Sequence, residues 1–280
     1  MGQTIAFLNM KGGVGKTTVA INLAYFLAYR ENKRVLMIDL DPQYNATQYL
    51  VDIKTNEDMV SGEKPTVYNI LFSNDITYNS ILEGIKTISH QKLELEDYVR
   101  KISTIEGKTL DLIPSTIHII NHSFRTDVAH KLQNFILKYK DAYDYIFVDC
   151  PPTFSVFLIS GIVACDYYLV PVKPDPLSVL GIPLLEEVID KTTEMYGSKI
   201  EPLGIIFTMF RQTNLMNEIM SGVRKTQSGR KYVFQNRTRN STYYSKASEK
   251  HVPLWGIYEA QRDGHVRDFE LITKEFLALI

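Results

Sequence analysis

Eight contiguous residues, Lys11 to Thr18 (Lys-Gly-Gly-Val-Gly-Lys-Thr-Thr), constrain this chain more than any other feature. They follow the apolar run Ile5-Ala6-Phe7-Leu8, which predicts a buried strand. They precede the apolar-periodic segment Val19 to Tyr29, which predicts a helix, so the glycines fall on a strand-to-helix turn. Such a turn suits a phosphate. Gly12, Gly13 and Gly15 carry no Cβ, so the backbone can direct several N–H groups at one anion, at the positive end of the following helix. Lys16 then supplies a mobile charge for β- and γ-phosphates, and the Thr17 hydroxyl is placed to ligate Mg²⁺. The usual pattern G-x-x-x-x-G-K-[ST] wants Gly at position 10; Met10 stands there instead, followed by an additional lysine, Lys11.

This form of the loop resembles the deviant Walker A box of the ParA/MinD family of ATPases, and the resemblance extends well beyond it. Arg34 to Asp39 predicts a second buried strand, and Asp39-Leu40-Asp41-Pro42-Gln43 at its end is similar to the family's Asp-x-Asp-Pro-Gln box. Ligands of open α/β sheets bind at that carboxyl edge. Leu110 to Ile113, running into Pro114-Ser115, looks like the family's Leu-Ile-Pro-Ser element. Tyr145 to Asp149 followed by Pro151-Pro152 resembles Walker B. A helix across Ser155 to Ala164 and a strand from Tyr167 to Val172 come next, and Pro171-Val172 with Leu177 to Gly181 matches the family's next strand and loop. Leu203 to Met209 predicts another strand, after which Thr208-Met209-Phe210 and Thr213-Asn214-Leu215 continue the likeness. Tyr232 to Phe234 reads as a last strand, and Gln235 to Asn240 falls where the family holds the adenine base. A closing helix from about Val266 to Ile280 is apolar at Phe269, Ile272, Phe276 and Leu279, spacing that suits packing on a sheet.

Alternating strands and helices, about seven of the former, predict an α/β P-loop NTPase with a mostly parallel twisted sheet covered by helices on both faces, in three layers. At 280 residues and 45% hydrophobic content, one domain over 1–280 is expected, with a polar insertion at about 52–107. Within the insertion Val67 to Phe72 and Ile81 to Ile88 predict short helices, and a further helix is expected from about Phe124 to Lys140. His118 and His122 are four apart but lack a third ligand, so they predict no zinc site. Cys150 and Cys165 form no C-x-x-C pair and fall in or beside apolar runs, as expected of buried reduced thiols in a cytoplasmic protein. Neither a signal peptide nor a preceding helix-turn-helix module is expected, because the first strand leads straight into the phosphate loop, and no apolar run is long enough to span a bilayer.

The formal net charge of −1 hides an asymmetry: Arg211 to Lys250 holds nine Lys/Arg and two Asp/Glu, leaving −8 on the remainder. A basic patch on a neutral protein fits non-specific DNA, with Arg237, Arg239, Lys246 and Lys250 as candidate contacts.

The family resemblance implies a weak ATPase that uses ATP and Mg²⁺ and serves DNA partition, of plasmid or chromosome. Residues 12–18 (Gly12, Gly13, Val14, Gly15, Lys16, Thr17 and Thr18) would hold the phosphates, with Met209, Asn236 and Thr238 near the base. Thr17, Asp39 and Asp149 would serve Mg²⁺, and Asp41 would orient the attacking water. Lys11 would reach a partner subunit's nucleotide, making ATP the link in a homodimer. The resemblance also implies a centromere-binding ParB-like adaptor and a nucleoid-associated location. A MinD-like membrane switch is the alternative, but the chain stops at Leu279-Ile280 without an appended basic amphipathic helix, so no membrane partner is expected. A related tyrosine kinase would carry a tyrosine-rich tail, whereas the last tyrosine is Tyr258. An iron-protein-like carrier would need paired cluster cysteines, a pattern that Cys150 and Cys165 do not make.

Overall fold

The computed structural model describes residues 2–52, 64–72, 93–103, 109–116, 128–227 and 232–280. Among these, β1 (Gln3–Phe7), β2 (Val35–Asp39), β3 (Arg100–Ser103), β4 (Thr109–Ile113), β5 (Tyr145–Asp149), β6 (Tyr167–Val172) and β7 (Glu201–Phe207) form one sheet. Its order is β3-β4-β2-β5-β1-β6-β7, with β3 antiparallel to β4 and every other pairing parallel. Strands buried on both faces alternate between two cores. Ile5 and Phe7 pack on one side with Met37, Phe147 and Leu112, and Ala6 and Leu8 on the other with Ile38, Val148 and Ile146.

On the first side lie α1 (Lys16–Tyr29) and the closing helix α11 (His265–Leu277), whose Phe26 and Phe269 rings stack with centroids 6.0 Å apart. The other side carries α3 (Val67–Phe72), α5 (Val128–Tyr139), α6 (Val156–Ala164) and α7 (Pro176–Tyr196). The remaining helices, α2 (Asn45–Leu50), α4 (Leu95–Tyr98), α8 (Asn214–Gln227), α9 (Tyr243–Glu249) and α10 (Tyr258–Arg262), lie around this frame. The result is the three-layer α/β/α arrangement expected of the sequence.

Three expectations change. Leu177 to Gly181 is not a loop but the first turns of the 21-residue α7, because Asp175 caps Ser178 N–H at 2.9 Å and Pro176 occupies the first turn, where a missing N–H costs nothing. The stretch 52–107 is more than a surface excursion. Its described parts bring Val67, Ile70, Leu71, Leu95, Tyr98 and Ile102 into the cores, and Arg100–Ser103 adds an antiparallel edge strand. Tyr232 to Phe234 pairs with β7 only through an isolated parallel bridge, Ile205 to Val233. The expected helix at Ile81 to Ile88, His118 and His122, and residues 124–127 of the expected helix before β5 lie outside the described residues. Cys150 and Cys165 are buried free thiols.

α6 is buried along its whole length, and its Gly161 faces Cys150, the residue after β5. A Cβ there would stand 2.4 Å from Cys150 Sγ. Gly161→Ala is therefore expected to lower stability by about 1–3 kcal/mol through overpacking, read as a lower urea midpoint at unchanged slope.

Candidate nucleotide-binding site

The phosphate loop leaves β1 at the carboxyl edge of the sheet and enters α1 through Gly13 (φ 71°) and Gly15 (φ 84°), both in the left-handed region that a side chain disfavours. Gly15 caps α1 without any side-chain acceptor, so the first helical N–H groups face outward for an anion. The loop is braced from far along the chain. Thr208 Oγ1 donates to Val14 O at 2.7 Å in a buried bond across 194 residues.

The groove beside the loop has a volume of about 850 Å³. Gly12, Gly13, Gly15, Lys16, Thr17 and Thr18 form one wall, Asp41 a second, and Met209 and Thr238 a third. Met209 is held at φ 51° and its N–H donates to Thr238 Oγ1 at 3.3 Å, so the turn that aims its side chain is fixed from both sides. Asn236 does not line this groove. Its backbone N–H and Nδ2 both donate to Glu275 Oε2, at 3.0 and 2.7 Å, which turns it to the far side of the segment. Asn240, the end of the segment expected to hold the base, lines the groove, and so do Ser241, Tyr244 and Ser245, which were not among the expected site residues. The readable signal was the polar run Asn240-Ser241-Thr242 leading into Tyr243-Tyr244-Ser245.

Asp39 and Asp149 end neighbouring parallel strands in the same register and are fully buried. Asp149 Oδ2 accepts from Thr17 Oγ1 at 2.6 Å, while its Oδ1 is buried without a partner. Burial raises the Asp149 pKa, opposed by the Thr17 hydrogen bond and Lys16. Burial raises that of Asp39 too, with the Asp149 charge adding to it. An orphaned buried carboxylate oxygen beside a threonine hydroxyl fits Mg²⁺, an ion that takes one or two carboxylates and completes its shell with water and substrate phosphate. Asp39 differs from Asp149 in that both its oxygens are occupied. Oδ2 accepts from Thr47 N–H and Oγ1 at 2.8 and 2.7 Å, and Oδ1 accepts from Asp41 N–H at 3.1 Å. It sets the backbone of the Asp41 turn.

Lys16 is 7% exposed, and burial lowers its pKa against the opposing pull of Asp149 and Asp41. Asp41 lines the groove, and its Oδ1 accepts from Gln43 N–H at 2.9 Å, closing a turn that holds the carboxylate in place. Lys11 points out of the groove. Its Nζ donates to Asp175 Oδ1 at 2.9 Å and Ser178 Oγ at 3.0 Å on α7, and its N–H to Asn9 Oδ1 at 2.8 Å. The basic candidates separate into two groups. Lys246 and Lys250 stand exposed on and beside α9. Arg239 pairs with Asp268 at 2.8 Å, and Arg237 lies 4.0 Å from the centre of the Phe210 ring. Among the described residues no helix is long and apolar enough to cross a membrane.

Known proteins resemble this chain in sequence and fold. The AAA domain family matches residues 2–201. The chromosome-partitioning ATPase Soj of Treponema pallidum is 29% identical over 99% of this chain and 98% of its own length. The chromosome partitioning protein ParA of Myxococcus xanthus is 31% identical over 80% of this chain and 71% of its own. Among solved structures, the ATP complex of a Cyanothece McdA variant superposes with a TM-score of 0.75 at 20% identity, covering 100% of this chain and 97% of that one. A plasmid partition protein of Borrelia burgdorferi bound to AMPPNP gives 0.74 at 20% identity, covering all of both chains. These structures share the fold. With the match over residues 2–201 and the near-full-length likeness to partitioning ATPases, the chain belongs to the ParA/Soj family of AAA-type ATPases.

Proposed function

We propose that the protein is a DNA-partition switch in which Mg²⁺ and ATP, held by residues 12–18, close two copies of the chain into a sandwich that slow hydrolysis reopens. The observation that carries this reading is the surface around Lys11. The lysine leaves its own groove and rests on the first turn of α7, where Leu177 is 70% and Leu180 72% exposed, with Leu184 and Phe154 also exposed. A cation directed outward among exposed apolar side chains suits an isologous contact, in which each copy offers the same surface and each Lys11 meets the other copy's γ-phosphate. ADP lacks that phosphate, so hydrolysis removes the contact that distinguishes the closed state. Thr17 and Asp149 would hold the metal, Asp39 would position the Asp41 turn, and Asp41 would orient water. Light scattering tests the reading: ATP should convert monomer to dimer. Leu180→Asp with Leu184→Asp should bind ATP normally yet stay monomeric. A dimer that forms equally well without nucleotide would overturn it.

The partner of the closed form is non-specific DNA, which would place the protein on the nucleoid, with a centromere-binding ParB-like adaptor stimulating hydrolysis. Lys246 and Lys250 support this best because both are exposed on one short stretch of chain. Phosphate contacts contribute salt-dependent affinity without choosing sequence. Changing both lysines to Glu should weaken duplex binding at least tenfold and flatten its dependence on salt concentration. Affinity that is unchanged by the substitutions, or insensitive to salt, would remove these residues from the DNA face.

A further inference from the structure

The segment after β7 divides two cavities. Thr238 faces the nucleotide groove while its neighbours Arg237 and Arg239 line a second cavity of about 650 Å³ on the opposite side, as alternation along extended chain requires. Met209 lines the groove and Phe210 the second cavity, and Phe210 and Arg239 pair as a parallel bridge. Three arginines, Arg211, Arg237 and Arg239, meet there with one carboxylate, Asp268.

Their donors are only partly used. Arg239 gives its Nε–H to Asp268. Arg237 lies over the Phe210 ring, an arrangement that fixes the guanidinium plane and leaves its in-plane N–H groups free; none of the described residues accepts a hydrogen bond from it. Arg211 is braced by Asn240, which accepts at 3.0 and 3.2 Å once its amide is oriented oxygen-first. The 13-residue α11 begins in the same wall. Gly264 caps it at φ 79° with no side-chain acceptor for the leading N–H groups. His265, at its first position, is 7% exposed and lines the cavity, and its Nδ1 is buried with no partner. An uncapped helix start and an excess of guanidinium charge both lack the same thing, an anion with several acceptor oxygens.

We propose that this cavity is a second anion site, separate from the phosphate loop, that takes the phosphate group of a small molecule. A phosphate monoester carries close to two negative charges and matches three guanidiniums less one carboxylate. A duplex phosphodiester carries one charge and is tied to its strand, so it reaches the exposed Lys246 and Lys250 more readily than a histidine nine-tenths buried. On this assignment Arg237 and Arg239 serve the cavity, and the lysines serve DNA.

The test is calorimetric titration of inorganic phosphate, at low salt, into the full chain with its phosphate loop already filled by AMPPNP and Mg²⁺. One saturable site is expected. It should weaken at least tenfold in Arg237→Gln and in Arg211→Gln, with AMPPNP affinity confirming that the variants fold, and change less than twofold when Lys246 and Lys250 become Glu. Duplex DNA affinity should follow the opposite pattern. Absence of saturable binding by the unaltered protein overturns the site whatever the variants do. Phosphate displaced by duplex DNA, with Arg237→Gln weakening both alike, assigns the cavity to the DNA face and overturns the small-molecule ligand. Binding that is equal in all variants marks an adventitious ion only.

Discussion

Lys16→Ala is expected to abolish ATP binding, and Asp41→Ala to leave binding intact while turnover stops. The two outcomes follow from where each charge acts. Lys16 is buried in the loop within reach of the Asp149 and Asp41 charges, so its ammonium would meet the phosphates already in the ground state. Hydrogen bonds to charged groups contribute about 1.5–3 kcal/mol each, so losing two of them to β- and γ-phosphate weakens binding by more than about a hundredfold. The loss is compounded because Asp149 and Asp41 then face the phosphates without a counter-charge. Asp41 is held by its own turn on the groove wall, and on the proposed role it would matter only as water attacks. Removing a group that acts on the attacking water costs on the order of 10²–10⁴ in rate with little change in affinity. Calorimetry with Mg²⁺ and ATP, and a phosphate-release assay, separate the two. Wild-type turnover by Asp41→Ala would assign the water to another residue.

Lys11→Ala, placed on the slow Asp41→Ala background, is expected to bind ATP and fail to dimerise. The resting contact of Lys11 with Asp175 decides how hard the lysine is to release. The pair is partly exposed, with side chains 36% and 22% accessible. Pairs of this kind contribute about 0–1 kcal/mol, a factor of at most roughly five. Asp175→Asn keeps an acceptor for the Ser178 N–H, so α7 stays capped while the charge that restrains Lys11 is lost. It should shift the ATP concentration for half-dimerisation no more than a few-fold, whereas Lys11→Ala should remove the dimer. A dimer that persists without Lys11, seen by light scattering, would refute its action on a second subunit.

Where chemistry leaves a local mark, the sequence was readable. The glycines, Lys16 and Thr17 announce an anion site because few other folds need those residue types at that spacing. The buried parallel strands announce themselves as apolar runs ending in Asp39 and Asp149. Features set by distant contacts were not readable. Which of Asn236 and Thr238 faces the groove depends on register, and that register is fixed by Glu275, which gathers Tyr232, Gln235 and Asn236 through four hydrogen bonds. The start of α7 was hidden because Pro176 and Pro183 within eight residues imitate a loop. Pro176 sits in the first turn and Pro183 on an exposed face, so neither stops the helix. β3 was hidden by its composition, since Arg100-Lys101-Ile102-Ser103 is charged as edge strands often are. The resting place of Lys11 on Asp175 and Ser178 joins residues more than 160 positions apart, and no local pattern announces it.

The position of β1 has a consequence for the birth of the protein. The strand that leads into the phosphate loop is made first, yet its only sheet neighbours are β5 and β6, at residues 145–149 and 167–169. At roughly 5–20 residues per second, a ribosome leaves that apolar strand without a partner for about ten seconds or more. The brace from Thr208 to Val14 comes later still. A growing chain therefore carries the whole loop sequence well before the contacts that hold the loop in place can form. The cost falls on that early apolar segment, which has no strand to pair with until β5 and β6 have been made.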